Sequence, residues 1–412
     1  MSCRDGTQYV IIGNGIAGTT AAEVLRRADP GGCVSLITDE PYPLYNRVAL
    51  PRFLKGQVRE EKVLMRTPEA HEKLGINLLL ETKVTAVSLE ERVVLTDRGQ
   101  QIPFDRLLIA SGGRPNRLKV PGADAYGVFN FQTLDDTKAI LEALKTARRA
   151  VTVGGSFIGY ELTEAFSARG LEVTWLIRES RFLGYHGYLD EEGGEIVDRI
   201  ARRAGVEVIY EDEVSEVVAD GGRVKQVKTR KGRVIEADIV GVGIGLRLNI
   251  EFLKDTPIET GWGVITDEYL ATNVPGVYAA GDVAEFWDVV TEERHTLGTW
   301  PNAAAQGRVA ARNMLGAKEV FVDVPDYTSG LFDSNIACSG IVPKDHPEAE
   351  AITRVDWQNL NYRRLFFKDG RLVGAVLIGE MRGHKRLLEL IRTKVRLESC
   401  EQERLSEAAS AT

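Results

Sequence analysis

Two glycine-rich turns, each set between an apolar strand and a helix, constrain this chain more than any other feature. Tyr9-Val10-Ile11-Ile12 runs into Gly13-Asn14-Gly15-Ile16-Ala17-Gly18, and the residues beyond carry Ile16, Thr20 and Val24 near helical spacing. Ala150–Val153 runs into Gly154-Gly155-Ser156-Phe157-Ile158-Gly159, followed by a helix expected over 157–169. A second strand follows each helix, Val34–Ile37 in one case and Val173–Ile177 in the other. Two βαβ units thus begin about 140 residues apart. Alternating strands and helices of this kind give an α/β fold built on parallel sheets.

The glycines have distinct tasks. In the first turn Gly13 permits the tight bend, Gly15 lets a pyrophosphate approach the backbone, and Gly18 lets helix and strand pack closely. Phosphates then sit at a helix N-terminus, where free N–H groups and the dipole favour negative charge. Asp39 ends the second strand 21 residues past Gly18, where a carboxylate accepts from ribose hydroxyls. The competing reading is a purely structural glycine turn. In the second turn Ser156 replaces the middle glycine. Ile177 stands where an NAD-selective site places an acid, and Arg178 and Arg181 follow. An arginine there can take a 2′-phosphate, which favours NADP(H). Glu179 opposes that reading, and solvated loop charges are the alternative.

The 412 residues suffice for about two to three domains. A hydrophobic share of 43% and a charged share of 27% exclude disorder as the main state. No run reaches the roughly 18–20 apolar residues of a membrane helix, and no secretory leader pattern precedes the first strand. The expectation is a cytoplasmic protein without a membrane span. Cys3, Cys33, Cys338 and Cys400 have no metal-ligand or CxxC spacing, so neither a metal site nor a local redox pair is read. The net charge of −8 is uneven: residues 357–396 hold ten Lys/Arg against three Asp/Glu. An acidic body with one basic segment argues against nucleic-acid binding and suits docking of something acidic.

Leu108-Ile109-Ala110-Ser111-Gly112 lies between the two turns, and Ala279-Ala280-Gly281-Asp282 follows the second. With these four segments in this order, the chain resembles the FAD- and NAD(P)-dependent pyridine nucleotide oxidoreductase family over residues 8–320. The resemblance implies that Gly13, Gly15, Ile16, Ala17, Gly18, Asp39, Glu40, Val84, Ala110, Ser111, Gly112 and Asp282 hold FAD. It implies that Gly154, Ser156, Phe157, Ile158, Gly159, Arg178 and Gly243 hold NAD(P)H. Asp39-Glu40-Pro41-Tyr42-Pro43-Leu44-Tyr45-Asn46-Arg47 is similar to the branch containing rubredoxin and ferredoxin reductases, the flavin module of nitrite reductase large subunits and apoptosis-inducing factor. In that branch an arginine at the position of Arg47 contacts FAD, and a lysine sits near the flavin where this chain has Arg52. Glu161 resembles the acid that pairs with that lysine. The expectation is an Arg52–Glu161 pair with a catalytic role, against a plain surface ion pair. Thr299-Trp300-Pro301-Asn302 resembles the segment that packs against the flavin, with Trp300 as ordinary core the alternative. No cysteine lies between Asp39 and Lys55, where disulfide-using relatives carry theirs, so a redox-active disulfide is not expected.

The implied architecture has two Rossmann-like domains. A discontinuous FAD domain (1–118 and 245–324) receives an NAD(P) domain (119–244), and a small α+β interface domain (325–412) follows. The implied function is an oxidoreductase that moves hydride between nicotinamide and flavin. It also moves single electrons between flavin and an iron–sulfur or rubredoxin-type protein or subunit, in either direction. A homodimer or a larger complex suits this role. Two other functions fit: a quinone or oxygen reductase or oxidase, and a redox-sensing flavoprotein with slow turnover.

Overall fold

A computed structural model describes residues 6–407 of the chain. It divides into two compact units. One takes the residues up to Asn46, Glu60–Arg114 and Arg247–Asp323. The other takes Arg47–Arg59, Pro115–Leu246 and the residues from Val324 on.

The first unit is built on a five-stranded parallel sheet in the order Val277–Ala279, Arg106–Ile109, Gln8–Ile12, Cys33–Ile37, Ile76–Leu79. Period-two alternation sends its side chains to two cores. Tyr9, Ile11, Leu36 and Leu108 meet Ala17, Ala21, Leu25 and Ala310 from the helices Ile16–Ala28 and Trp300–Met314. Val10, Ile12, Ile37, Leu107 and Ile109 face the other way, onto Val84, Val94 and Leu253. Burial on both faces is why these strands read as continuous apolar runs.

The second unit has its own parallel sheet, ordered Glu207–Tyr210, Glu172–Ile177, Arg149–Val153, Ile239–Val242, Val128–Asn130. The helix Phe157–Ala168 covers one face, where Gly241 leaves room for Phe166 and Leu162. The same unit holds an antiparallel sheet, ordered Asp326–Leu331, Ser334–Gly340, Arg371–Ile378, Asn361–Lys368, Glu350–Asp356. Asp369-Gly370, a dipeptide that favours tight turns, closes the hairpin between the last two of these strands in the chain, both residues taking positive φ. After this sheet the helix His384–Thr393 ends where Lys394 adopts a left-handed conformation. Arg396 therefore lies outside the helix, bridged to Arg371. Among the described residues no helix is long and apolar enough to cross a membrane.

Candidate functional site

The first unit gathers most of its expected site residues around one loop. Gly13 has φ +111°, and a side chain there would collide with the Ala110 carbonyl. Its N–H donates to Ile37 O at 2.8 Å, and Ala110 N–H donates to Ile12 O at 2.8 Å. These bonds set the glycine loop between the ends of two strands. A side chain on Gly18 would strike the Gly13 carbonyl, whereas Gly15 faces open space. The following helix has no side-chain cap, so its first N–H groups remain available. Open backbone beside uncapped N–H donors fits a pyrophosphate.

Other expected residues border this loop. Thr82 N–H donates to Thr38 O at 2.8 Å and Glu81 N–H to Glu40 O at 3.1 Å, bringing the approach to Val84 alongside Asp39 and Glu40. Asp39 is exposed, while Glu40 accepts from the Tyr45 hydroxyl at 2.6 Å. Ser111 Oγ donates to Asn249 O at 2.7 Å, and Asn249 returns a bond to Ser111 O at 2.9 Å, pinning the Ser111-Gly112 turn. Gly281 closes on Ala17 from the opposite side, and Gly298 runs beside the Asp282 carboxylate. Thr299 starts the helix Trp300–Met314, again with no side-chain cap, and Trp300 is half-buried at its first position.

Two supports escaped sequence reasoning. Asn14, buried in the loop, donates to Tyr42 O and accepts from Thr19. Gln306 accepts from Gly281 N–H at 2.7 Å and donates to Asn302, which donates to Asp323. Gln306 and Asn302 are i, i+4 neighbours on a helix that otherwise reads as alanine-rich core, and that polar pair was the available signal.

The second unit repeats the arrangement. Gly154 has φ +120° and abuts the Gly243 carbonyl, and Gly243 in turn lies against Gly159, so no side chain fits at any of the three. Ser156 caps the helix through Gly159 N–H and donates to Gly243 O at 2.8 Å. The serine thus takes the place of a glycine and serves as the N-cap. Trp175, fully buried on the neighbouring strand, donates its indole N–H to Gly154 O at 2.9 Å and went unrecognised in sequence.

Past the strand end, Arg178 is not a free guanidinium. It bonds Glu179 at 2.8 Å and lies 3.7 Å from Glu213. The Glu179 carboxylate sits against Gly155, about where a β-carbon would reach it at 3.5 Å. A phosphate entering here meets two carboxylates, which weighs against the NADP(H) preference drawn from sequence.

The expected Arg52–Glu161 pair is not formed. Arg52 is exposed, and its helix, Leu50–Leu54, instead leads to Lys55, which pairs with Glu164 at 2.7 Å. Glu164 lies one turn of helix past Tyr160 and draws off the nearest lysine. Glu161 accepts from the Tyr327 hydroxyl at 3.4 Å. Crowding by protein, with the Glu164 charge adding to it, pushes the Glu161 carboxyl up to about 7. Phe157 stacks on Tyr327 with ring centres 3.6 Å apart. Ile158 is half-buried beside it. Arg47 donates to Gln132 O at 2.9 Å. Among the described residues no group of His, Cys, Asp and Glu could hold a metal. Cys33, Cys338 and Cys400 form no disulfide; Cys3 lies outside the described residues.

Known proteins resemble this chain in sequence and in fold. A nitrite reductase [NAD(P)H] of Bacillus subtilis is 29% identical over 392 residues, covering 93% of this chain and 47% of the relative. The chain thus spans about half the length of that relative. The ferredoxin–NAD(+) reductase component of a Pseudomonas putida p-cumate 2,3-dioxygenase system is 32% identical over 316 residues, 76% of each chain. A ferredoxin reductase structure from Rhodopseudomonas palustris superposes with a TM-score of 0.88 at 25% identity, covering 98% of this chain and 100% of that one. Residues 331–395 match the rubredoxin NAD+ reductase C-terminal domain. Residues 7–307 match the pyridine nucleotide-disulphide oxidoreductase model, and the chain belongs to that family.

Proposed function

We propose that this protein is an FAD-dependent NAD(P)H oxidoreductase that exchanges single electrons with an iron–sulfur or rubredoxin-type protein or subunit. One observation carries the reading: the chain forms two separate glycine cradles, at Gly13–Gly18 and Gly154–Gly159, in which Gly13, Gly18, Gly154 and Gly159 tolerate no side chain. One dinucleotide needs one cradle; two cradles suit a flavin and a nicotinamide dinucleotide. FAD supplies hydride acceptance and single-electron release when bound, chemistry that no side chain here provides.

The roles of the chain's own residues follow. In the first unit the uncapped N–H groups after Gly15 bind pyrophosphate, and Asp39 with Glu40 takes ribose hydroxyls. Val84, Ala110, Ser111 and Gly112 wall the cofactor, and Asp282, Thr299 and Trp300 hold its flavin end. In the second unit the loop Gly154–Gly159 with Gly243 cradles the nicotinamide dinucleotide. Glu179 rather than Arg178 reads its adenosine ribose, which favours NADH. Arg47 and Arg52 remain on the cofactor side of the reading, with Arg52 acting as an exposed cation and not as Glu161's partner. Glu161 holds a proton near neutral pH. Oxidation and reduction proceed without a disulfide, in the cytoplasm.

The partner surface is the face around His384–Thr393. Lys385 and Arg386 are exposed there, whereas Arg382 and Arg392 pair with Glu380 and Glu389. The test is direct. Purified protein should release FAD on acid treatment, and NADH-driven turnover should be faster with an iron–sulfur protein than with quinones or oxygen. Protein that is colourless and cannot be reconstituted with FAD overturns the reading. Preference for quinone or oxygen moves it to the small-molecule class.

A further inference from the structure

Two carboxyls on the helix Phe157–Ala168 find unequal partners near its start. Glu161 and Glu164 stand three apart on one face of the helix. Lys55 bonds Glu164, and both members of that pair are largely buried, 12% and 14% exposed. Glu161 is left to a neutral donor, the Tyr327 hydroxyl. The other groups facing it are Tyr160, whose hydroxyl accepts from Phe332 N–H at 2.7 Å, and, beyond Tyr327, the buried thiol of Cys338. Arg52, the next cation along, is exposed.

Tyr327 makes a second contact with the same helix turn. Its ring lies nearly parallel to that of Phe157, 26° between planes. Phe157 is the first helical residue after the Ser156 cap, so one tyrosine from the antiparallel sheet touches both the start of the glycine-turn helix and the carboxyl one turn later.

We propose that Tyr327 is a positioning residue of the nucleotide site: its ring fixes Phe157 beside the glycine turn, and its hydroxyl holds the Glu161 carboxyl that Lys55, committed to Glu164, does not bond. This rests on the reading that the Gly154–Gly159 loop binds a nicotinamide dinucleotide. A phenol stabilises a carboxylate less than an ammonium does, so Glu161 keeps its proton into the neutral range. A donated hydrogen bond still favours the charged form. Removing the hydroxyl therefore raises the pH at which Glu161 ionises, while removing the ring loosens Phe157.

The experiment is a pH titration of the carboxylic C=O infrared band on the holoenzyme, paired with NAD+ affinity from the flavin difference spectrum. The Glu161→Gln variant identifies the band by its loss. In Tyr327→Phe the stack survives, and the midpoint should rise by about half to one pH unit with NAD+ affinity close to that of the parent. In Tyr327→Leu the midpoint should rise equally and NAD+ affinity should fall about three- to tenfold. Phe157→Leu should weaken NAD+ binding without moving the midpoint, which separates the two contacts and serves if either Tyr327 variant folds poorly. A midpoint unmoved in Tyr327→Phe with NAD+ binding intact overturns the role of Tyr327 alone. Absence of NAD+ binding by the parent protein overturns the nucleotide reading and this proposal with it.

Discussion

Glu179 shows how much a single side chain past a strand end can decide. Its carboxylate lies near Gly155 and bonds Arg178, so in the proposed nucleotide site it would accept from a ribose diol and repel a 2′-phosphate. Glu179→Gln should lower kcat/KM for NADH about tenfold, one charge-assisted hydrogen bond of about 1.4 kcal/mol, and change NADPH much less. Steady-state kinetics with both nucleotides checks this; equal losses make Glu179 structural. Glu161 gives a second residue-scale expectation. Its carboxyl titrates at about 7 in the fold, against about 4.3 in an unfolded chain. Between those values the native protein binds more protons than the unfolded one, so stability falls as pH rises through the window. The contribution is fully present below the unfolded value and lost as pH climbs through 7. Glu161→Gln stays neutral and should flatten that slope, gaining about 1–2 kcal/mol above pH 7 after allowance for its partial exposure. Urea midpoints measured from pH 5 to pH 8 decide it.

Among elements, the contrast lies in how three helices begin. The helix Phe157–Ala168 is capped by Ser156, whereas Ile16–Ala28 and Trp300–Met314 start without a side-chain cap. The uncapped pair belong to one unit and pack on each other, with Gly307 pressed against the Ala17 carbonyl. Their free N–H groups suit a cofactor that fills in for a cap. The Gly281–Asp282 turn between them hangs on Gln306, itself held by Asn302 and Asp323. Gln306→Leu leaves the Gly281 N–H buried without an acceptor, at a cost of about 1–3 kcal/mol. With the turn bordering FAD as proposed, FAD affinity should drop about tenfold or more while NAD+ protection of the second unit persists. Fluorescence of released flavin and limited proteolysis with and without NAD+ report the two effects separately. Undiminished FAD retention would show that the chain Gln306–Asn302–Asp323 only stabilises the helix.

For the whole molecule the governing quantity is charge distribution. The chain carries −8 overall, yet Lys385 and Arg386 stand exposed at the start of the helix His384–Thr393. Complementary charge accelerates encounter with an acidic protein and is screened over about 8–10 Å at physiological salt. Reversing Lys385 and Arg386 to Glu should slow electron transfer to an acidic iron–sulfur acceptor several-fold at low salt. The difference should narrow as salt rises, and ferricyanide reduction should stay near the parent rate. Stopped-flow rates across an ionic-strength series test it; transfer indifferent to both salt and charge reversal leaves this face as ordinary surface.

Much of this was legible in order and period alone. The two βαβ units, the glycine turns and the hairpin at Asp369-Gly370 are local: they depend on continuous apolar runs and on backbone conformations that few residues other than glycine adopt easily. The steric tasks of Gly18 and Gly159 follow from their spacing in the chain, because the carbonyls of Gly13 and Gly154 in the same turn exclude a side chain there, whereas at Gly13 and Gly154 it is the distant Ala110 and Gly243 that do so. Pairings between distant segments were not legible. Arg52 looked like the cation for Glu161, yet three residues further along a short helix Lys55 points to Glu164, and the turn of that helix carries Arg52 outward. Trp175 beneath Gly154, Gln306 beneath Gly281 and Tyr327 against Phe157 and Glu161 lie 21, 25 and more than 160 residues from what they support. Periodicity tells which face of an element is buried, not which polar group waits on the other side. Tertiary packing alone supplied the partner, and with it the burial that raises the Glu161 carboxyl.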